Sequence, residues 1–355
     1  MNIVVSGLVA GEPGQGGAAW AILQYVLGLR RLGHDVTLVE PVDELTPERV
    51  SAFRRIKARY DLQGALVADG RTPPACRSAD VLLNVSGMWR GETEAPVRVY
   101  LDLDPAFNQL WAEVEGIDVG LDGHTHFATV GQHVGEPGCD VPTCGRTWIR
   151  TLPPVVLEHW PFAETRVRHS FTTIGNWRSY GSIEHGGRTY GQRAHSLRRL
   201  AGIASSSTHS FEVALAIHAD EVDDLALLRR HGWRLVDPAY ASSTPGAYRA
   251  FIRSSYAELS VAKSGYVESR CGWFSDRSAC YLASGRPVVA LDTGLEDVLP
   301  VGEGLLVYTD ADEAVAAVDD VCARYDEHRH AARRLAEEHL DSDVVLTRLL
   351  DEVTR

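Results

Sequence analysis

The stretch that decides the fold is residues 275–307, which have the sequence SDRSACYLASGRPVVALDTGLEDVLPVGEGLLV. Its first part predicts a helix over 275–283 that begins at the N-cap residue Ser275 and stops before Gly285. The apolar runs at 287–291 and 304–308 predict two buried strands on either side of a glycine-containing loop. Buried strands that alternate with helices are typical of a parallel sheet covered on both faces.

The same alternation extends toward both ends of the chain. In the N-terminal part we predict a helix over 18–32 that ends at Gly33. We predict strands there at 2–9, 35–39, 81–85 and 97–103. A last strand is predicted either near Gly120 or at 126–130. A second unit starts afresh at 170–174. Its further strands are predicted at 211–216, 233–236 and 257–262, with a helix over 220–231, and the pattern from 311 onward is helical.

A proline-rich segment separates the two units. Residues 151–167 contain Pro153, Pro154 and Pro161, and such clusters mark connections between structural units. We therefore predict an α/β protein with two tandem Rossmann-like domains and a cleft between them. The predicted boundaries are 1–160, 161–335 and a C-terminal helix over 336–355 that packs back on the first domain.

Length and composition agree with this organisation. A chain of 355 residues exceeds one domain of about 100–200 residues. The net charge of −13 argues against a nucleic-acid partner. The chain lacks an apolar run of about 18 residues and a signal-peptide pattern, and its six scattered cysteines do not suggest a disulfide framework. We therefore expect a cytoplasmic protein with no membrane span.

The start of the helix predicted at 275–283 has the features of a phosphate site. Ser275 would leave backbone N–H groups and the positive helix end pointing outward from the sheet. Arg277 adds a guanidinium whose geometry suits phosphate oxygens. The residues 275–278 therefore predict a diphosphate site, and the alternative is a capped helix with surface charges.

A glycine cluster follows the first strand. Gly14, Gly16 and Ala19 match the spacing of a dinucleotide-binding loop, and Glu40 lies where its ribose-binding acid would be. However, several residues intervene between the strand and Gly14, whereas that loop turns directly off the strand. We interpret the cluster as a backbone-rich loop at a helix N-terminus that approaches a sugar or phosphate closely. A nicotinamide-binding loop and a plain surface loop are the alternatives.

Several of these stretches resemble one enzyme class. The segments 257–264, 285–294 and 302–307 are similar to the donor-binding half of GT-B glycosyltransferases. The Gly16-Gly17 pair with the helix after it resembles their acceptor-binding half, and 173–178 lies where the family begins its donor domain. The resemblance covers nearly the whole chain.

The resemblance implies transfer of a sugar from a nucleotide-diphosphate donor, with UDP or TDP as the nucleotide, to a hydroxyl of a small-molecule or glycan acceptor. It implies no cofactor beyond this co-substrate, no metal, and a place in bacterial natural-product or polysaccharide biosynthesis. Where many retaining members carry two glutamates, this chain has Gly272 and Cys280. Asp276 or Glu268 would then take the place of the ribose-binding acid. A non-catalytic nucleotide- or sugar-binding protein and an NAD-dependent oxidoreductase remain as alternatives.

The predicted site residues fall into three groups. Lys263 stands out among the donor-binding residues because it is one of only two lysines, with Lys57, among 35 basic residues. The predicted donor-binding residues are Asn176, Trp177, Arg178, Lys263, Ser275, Asp276, Arg277, Ser278 and Gly294. The predicted acceptor-binding residues are Gly16, Gly17 and Ser86. His124 is the favoured catalytic base, since an imidazole needs no pKa shift near pH 7, and Asp104 is the second candidate.

Two groups of residues have side chains of the types that bind metal ions. The first is a run of ligand-type side chains that matches no recognised zinc spacing: His124, His126, His133, Cys139 and Cys144. We interpret this run as a loop between the domains. The second is Asp102 and Asp104, which alternation along a strand places on one side. Asp104 is equally explained as the N-cap of a following helix.

Three tryptophans lie at strand ends or helix starts, where an indole can stack on a sugar or base. These are Trp89, Trp177 and Trp273. The alternative for each is a position in the core.

Overall fold

The computed structural model describes residues 1–68, 70–165 and 168–355. Within them the first sheet has seven parallel strands in the order β3-β2-β1-β4-β5-β6-β7. Its strands are β1 (Asn2–Ser6), β2 (Asp35–Pro41), β3 (Gln63–Val67), β4 (Val81–Val85), β5 (Val97–Asp102), β6 (His126–Thr129) and β7 (Trp148–Arg150).

The second sheet has six parallel strands in the order β12-β11-β8-β13-β14-β15. A separate antiparallel hairpin consists of β9 and β10. The strands of this half are β8 (Ser170–Asn176), β9 (Ile183–His185), β10 (Arg188–Tyr190), β11 (Ser210–Ala216), β12 (Arg234–Leu235), β13 (Ala257–Ser260), β14 (Val288–Leu291) and β15 (Leu305–Tyr308).

Helices cover both sheets. Those that begin in the first half are α1 (Gly16–Arg31), α2 (Pro47–Tyr60), α3 (Pro74–Ser78) and α4 (Phe107–Glu113), followed by a 3₁₀ turn at Leu157–His159. The remainder are α5 (Arg193–Arg199), α6 (Ile203–Ser206), α7 (Val222–Arg230), α8 (Pro238–Ser242), α9 (Pro245–Ser254), α10 (Ser264–Ser269), α11 (Asp276–Ala283), α12 (Ala311–Ala323), α13 (Tyr325–Leu335), a π-helical turn at Ala336–Leu340 and α14 (Ser342–Val353).

The prediction of two Rossmann-like parallel sheets is confirmed. Every residue of β4 and of β14 is buried, as expected for strands covered on both faces. The first strand is shorter than predicted and ends at Ser6, because the chain turns away there toward the loop that precedes α1. The predicted strand near Gly120 is wrong, and 126–130 is the position that forms β6.

The chain crosses between the two halves twice, and the crossing segments are bonded to each other. The backbone N–H of Val155 donates to the carbonyl of Leu340 at 2.7 Å, and the N–H of Ser342 donates to the carbonyl of Val155 at 2.9 Å. After this crossing α14 packs against α1, where Leu346 lies directly over Gly28. The domain boundaries at 160 and 335 stay a prediction.

The helix α1 also touches the second half. A Cβ atom at Gly16 would overlap the backbone of Thr244, so only glycine allows this approach. The indole N–H of Trp20 donates to the carbonyl of Pro245 at 2.8 Å. Over the three described ranges, no helix has the length and apolar character needed to cross a membrane.

Candidate active site

A cleft of about 590 Å³ lies between the carboxyl edges of the two sheets. The first half contributes Gly17, at the start of α1, and Asp104, which follows β5. The second half contributes Asn176 at the end of β8, Lys263 after β13 and Ser275 before α11. Open parallel sheets bind ligands at this edge, so the cleft is the candidate active site.

An ion pair between the halves lies in the lining of the cleft. The Nζ atom of Lys263 lies 3.0 Å from each carboxylate oxygen of Asp104. The hydroxyl groups of Tyr180 and Tyr266 donate to the same carboxylate. Asp104 and Lys263 were both predicted as site residues, and the structure brings them into direct contact.

Three aromatic rings surround the Lys263 ammonium group. Its Nζ atom lies 4.4, 4.9 and 5.2 Å from the ring centres of Tyr180, Phe107 and Tyr266, which is within the range of cation–π attraction. Burial lowers the pKa of Lys263, and the adjacent Asp104 carboxylate opposes that change. These contacts hold Lys263 in one position at the wall of the cleft.

The start of α11 forms another wall of the cleft. Ser275 is its N-cap, as predicted, and its hydroxyl accepts from the backbone N–H of Arg277 at 3.2 Å. Asp276 lines the cleft beside it. Burial raises the pKa of the Asp276 carboxyl. The positive end of this helix therefore points into the cleft, as the diphosphate hypothesis requires.

Arg277 lines the cleft, but its guanidinium is engaged within the protein. It donates to the buried carboxylate of Glu258, to the carbonyl of Ile174 at 3.0 Å and to the hydroxyl of Ser260 at 3.0 Å. These partners belong to β8 and β13. The predicted phosphate-binding fork is thus an arginine that ties α11 to the sheet, which corrects its expected role.

A buried arginine that the sequence analysis did not identify also lines the cleft. Arg193 begins α5 and donates to the carbonyls of Val261 at 2.8 Å and Asn176 at 2.7 Å. Burial and the nearby charge of Arg277 lower the pKa of Arg193 to about 10, so it stays a cation at neutral pH. A cation in the first turn of a helix is unfavourable next to the positive end of the helix dipole. An arginine at the start of a helix therefore indicates a special role, and this feature can be recognised in the sequence.

Asn176 lies at the cleft as predicted, but the two residues after it turn away. Trp177 is buried, and its indole N–H donates to Asp224 at 2.8 Å. Arg178 is exposed and forms an ion pair with Glu221. The chain leaves the strand at this point, so adjacent side chains point to different surroundings.

Three other candidates for the donor site lie outside the cleft lining. The hydroxyl of Ser278 is buried near Ser260, at 3.3 Å. Gly294 packs against the His133 ring in the contact between the halves. Glu268 faces Arg199 at 3.6 Å, away from the residues that line the cleft, so its position does not favour a role as the ribose-binding carboxylate.

The predicted acceptor residues are dispersed. Gly17 lines the cleft, whereas Gly16 lines a neighbouring cavity and packs against Thr244. Ser86 begins a tight turn after β4 with a φ of 48° and lies outside the cleft lining. Of the three, Gly17 alone remains a candidate for contact with a bound sugar.

His124 does not line the cleft and instead lines a separate cavity of about 620 Å³ in the first half. Its Nδ1 atom lies 3.1 Å from the carbonyl of Leu121 and its Nε2 atom 3.0 Å from the amide of Asn84. Burial lowers the pKa of the imidazole. Of the two candidates for the base, Asp104 lines the cleft and His124 does not, so the geometry favours Asp104.

Glu40 has a structural role in place of the predicted ribose contact. Its buried carboxylate accepts the backbone N–H groups of Val9 at 2.9 Å, Ala10 at 3.0 Å and Gly11 at 2.6 Å. These bonds hold the loop that leads from β1 to α1. A carboxylate used in this way is not free to bind a ribose, which removes the main support for nicotinamide binding.

Asp102 is a buried structural carboxylate. It accepts from the side chains of Asn108 at 2.7 Å, Gln109 at 2.8 Å and Thr129 at 2.8 Å, and from the backbone N–H of Asp104 at 2.9 Å. Asp102 and Asp104 therefore face different partners, and their carboxylates do not converge as a pair of metal ligands. Asp104 is also not a helix cap, because α4 begins after Ala106.

The His and Cys run does not converge either. His133 bonds to the carbonyl of Arg270 at 2.9 Å in the contact between the halves, and His126 lies beside Thr125. Within the described part of the chain, no three His, Cys, Asp or Glu side chains form a group that could hold a metal ion.

The three tryptophans have different environments. Trp273 lines the cleft and stacks on Tyr266, with ring centres 4.3 Å apart. Trp89 is largely buried beside two cavities of the first half, and Trp177 belongs to the core of the second. Trp273 is therefore the one predicted stacking residue that lies at the candidate active site.

The fold is similar to that of solved glycosyltransferases. An α-glucosyltransferase in complex with UDP and DNA superimposes with a TM-score of 0.64 at 11% identity over 99% of each chain. HepE from Anabaena, in complex with UDP and glucose, gives 0.60 at 10% identity over 100% of this chain and 99% of that one. A glycosyltransferase from Rickettsia africae gives 0.55 at 10% identity over 99% and 97%.

No protein-family model and no curated protein matches the sequence. The structural likeness nevertheless spans both halves and the crossing segments. The chain therefore has the GT-B fold.

Proposed function

We propose that this protein is a glycosyltransferase that moves a sugar from a nucleotide-diphosphate donor to a hydroxyl group of a small-molecule or glycan acceptor. The observation that carries the proposal is the convergence of Lys263, Arg193 and the start of α11 on one cleft. Two cations and a helix N-terminus suit the diphosphate of such a donor.

In this proposal the second half binds the donor. Lys263 and the backbone N–H groups at the start of α11 receive the diphosphate, with Arg193 behind them. Their positive charge stabilises the nucleoside diphosphate as it leaves with the electron pair of the broken bond to the sugar. Trp273 offers an indole face to the sugar or base, and Asp276 is the carboxylate placed to accept hydroxyl hydrogens.

The first half would hold the acceptor near Gly17 and Asp104. The acceptor oxygen forms the new bond to the anomeric carbon, and its proton passes to the Asp104 carboxylate. Asp104 already contacts Lys263, so the proposed base and the proposed diphosphate ligand adjoin each other.

The comparisons favour UDP as the nucleotide to test first, because the α-glucosyltransferase and HepE structures contain it. The net charge of −13 favours an acceptor other than the DNA present in the former. We further propose that the reaction needs no metal ion and takes place in the cytoplasm.

Calorimetric titration with UDP, TDP, ADP and NADH tests the proposal. We expect one of the nucleoside diphosphates to bind, and the corresponding nucleotide sugar to release free nucleotide slowly in water. Binding of NADH alone would support the oxidoreductase alternative. Nucleotide binding without release of nucleotide in the presence of any acceptor would support the non-catalytic alternative.

A further inference from the structure

A second cavity adjoins the cleft on the other side of the glycine loop. It has a volume of about 300 Å³ and lies between α1, α2 and the segment 243–249 of the second half. Gly14 and Gln15 line both this cavity and the cleft. A volume of this size fits a small molecule or one group of a larger one.

Three arginines line this cavity from both halves of the chain. Arg55 and Arg59 lie on α2, and Arg249 lies on α9. Tyr60 lines the cavity beside Arg59 and Arg249. Burial raises the pKa of Tyr60, and the positive charges of Arg249 and Arg59 oppose that rise. The cavity is thus a point where positive charge from two parts of the fold converges.

Ion pairs among the described residues do not neutralise these three arginines. Among the residues that the structure describes, none of the three lies within 4.0 Å of a carboxylate, although the protein carries 48 acidic residues. The single acidic residue of the cavity lining, Glu12, faces Arg49 at 3.6 Å. Arg55 donates to the hydroxyl of Ser51 at 2.5 Å, and Arg249 donates to the carbonyl of His159 at 3.4 Å. Both acceptors are neutral, so these hydrogen bonds do not compensate the positive charges.

Backbone groups add to the positive potential. The helix α1 begins at this cavity without a side-chain cap and without an acidic residue in its first turn. Its first N–H groups therefore lack the partner that most helices supply themselves. Three arginines without carboxylate partners beside an uncapped helix start give this cavity a positive potential that suits an anion.

We infer that this cavity is a binding site for the phosphate group of a small molecule, held by Arg55, Arg59 and Arg249. Guanidinium groups bind phosphate oxygens in pairs of parallel hydrogen bonds, and three of them suit a group with two negative charges. The site is distinct from the cleft, and its occupant would lie across Gly14 and Gln15 from a nucleotide bound there.

Titration with inorganic pyrophosphate tests this inference. The probe is measured by calorimetry against the full-length protein, first alone and then with the cleft saturated by UDP. We expect pyrophosphate to bind in the presence of UDP, and the binding to weaken at least about tenfold in Arg59→Ala and in Arg249→Ala, the loss typical of one charged hydrogen bond. Arg54→Ala, an exposed neighbour on α2 outside the lining, is the matched control.

The outcomes separate this inference from the proposed function. Failure of UDP, TDP and ADP to bind, with pyrophosphate binding that still depends on Arg59 and Arg249, would overturn the proposed function and support the second site. Pyrophosphate binding that UDP abolishes, or that Arg59→Ala and Arg54→Ala affect equally, would overturn the second site alone. Thermal unfolding of each variant shows whether a loss of binding comes from a loss of folding.

Discussion

The ammonium group of Lys263 lies 3.0 Å from both carboxylate oxygens of Asp104, and this contact joins the two halves across the cleft. Both side chains are largely shielded from water, with 15% and 24% of their surfaces exposed. Because the shielding weakens competition from solvent, the pair is stronger than a surface salt bridge. In the proposed reaction a diphosphate competes with Asp104 for the same lysine.

The first prediction concerns donor affinity. Lys263→Met should weaken UDP binding by about 1.5–3 kcal/mol, roughly 10–100-fold, because it removes a charged hydrogen-bond donor from the phosphates. Lys57→Met is the control, since the other lysine bonds to the carbonyl of Gly64 away from the cleft. Calorimetry measures both. Equal UDP affinity in the two variants would exclude Lys263 from the donor site.

The second prediction concerns the base. Asp104→Asn should lower kcat by about 10²–10⁴-fold, whereas His124→Ala should retain turnover because His124 lines a different cavity. UDP affinity of Asp104→Asn should equal or exceed that of the wild type, since the competing carboxylate charge is gone. Rapid kinetics with the nucleotide sugar and a pH–rate profile check this. An acidic limb that disappears in His124→Ala would return the role to the histidine.

The third prediction concerns stability. Arg277→Ala should destabilise the fold by about 3–5 kcal/mol, because it leaves the fully buried carboxylate of Glu258 without its partner. Arg178→Ala should cost at most about 1 kcal/mol, since its ion pair with Glu221 is exposed to solvent. Denaturant unfolding of both variants gives the comparison. If the two curves coincide, Arg277 does not tie α11 to the sheet.

The fourth prediction concerns metal ions. Turnover should persist in excess chelator, because cations of the protein face the cleft and the Asp102 carboxylate is occupied by Asn108, Gln109 and Thr129. Nucleotide release is measured with and without EDTA. Activity that is lost and then restored by Mg²⁺ or Mn²⁺ would show that acidic residues of the cleft bind a divalent ion.

Much of the fold follows from local sequence. The buried apolar runs that became β4, β5, β8 and β14 have a single interpretation, since each is too short and too β-branched for a helix. The hairpin of β9 and β10 was missed although Gly186 and Gly187 form its two-residue turn, both with positive φ. β3 was missed because most of this edge strand is only half-buried and its pattern is weak.

The site was predictable only in part. Strand ends and helix starts identify Asn176, Lys263 and Asp276, because their positions in the chain place them at the ligand edge. The contacts of Asp104 with Tyr180 and Tyr266 join residues more than 70 positions apart. Local periodicity carries no information about such pairs, nor about the direction of a side chain once a strand has ended.

The bonded crossing segments at Val155 and Leu340 restrict how the two halves can move relative to each other. Because the two chain crossings run side by side and share hydrogen bonds, we expect them to favour rotation about one axis, whereas a single linker would allow rotation in any direction. We therefore expect the cleft to widen or narrow while the proposed donor and acceptor sites keep their facing orientation. Release of α14 from α1 would remove the second crossing, and the two halves would then rotate freely about the one linker that remains.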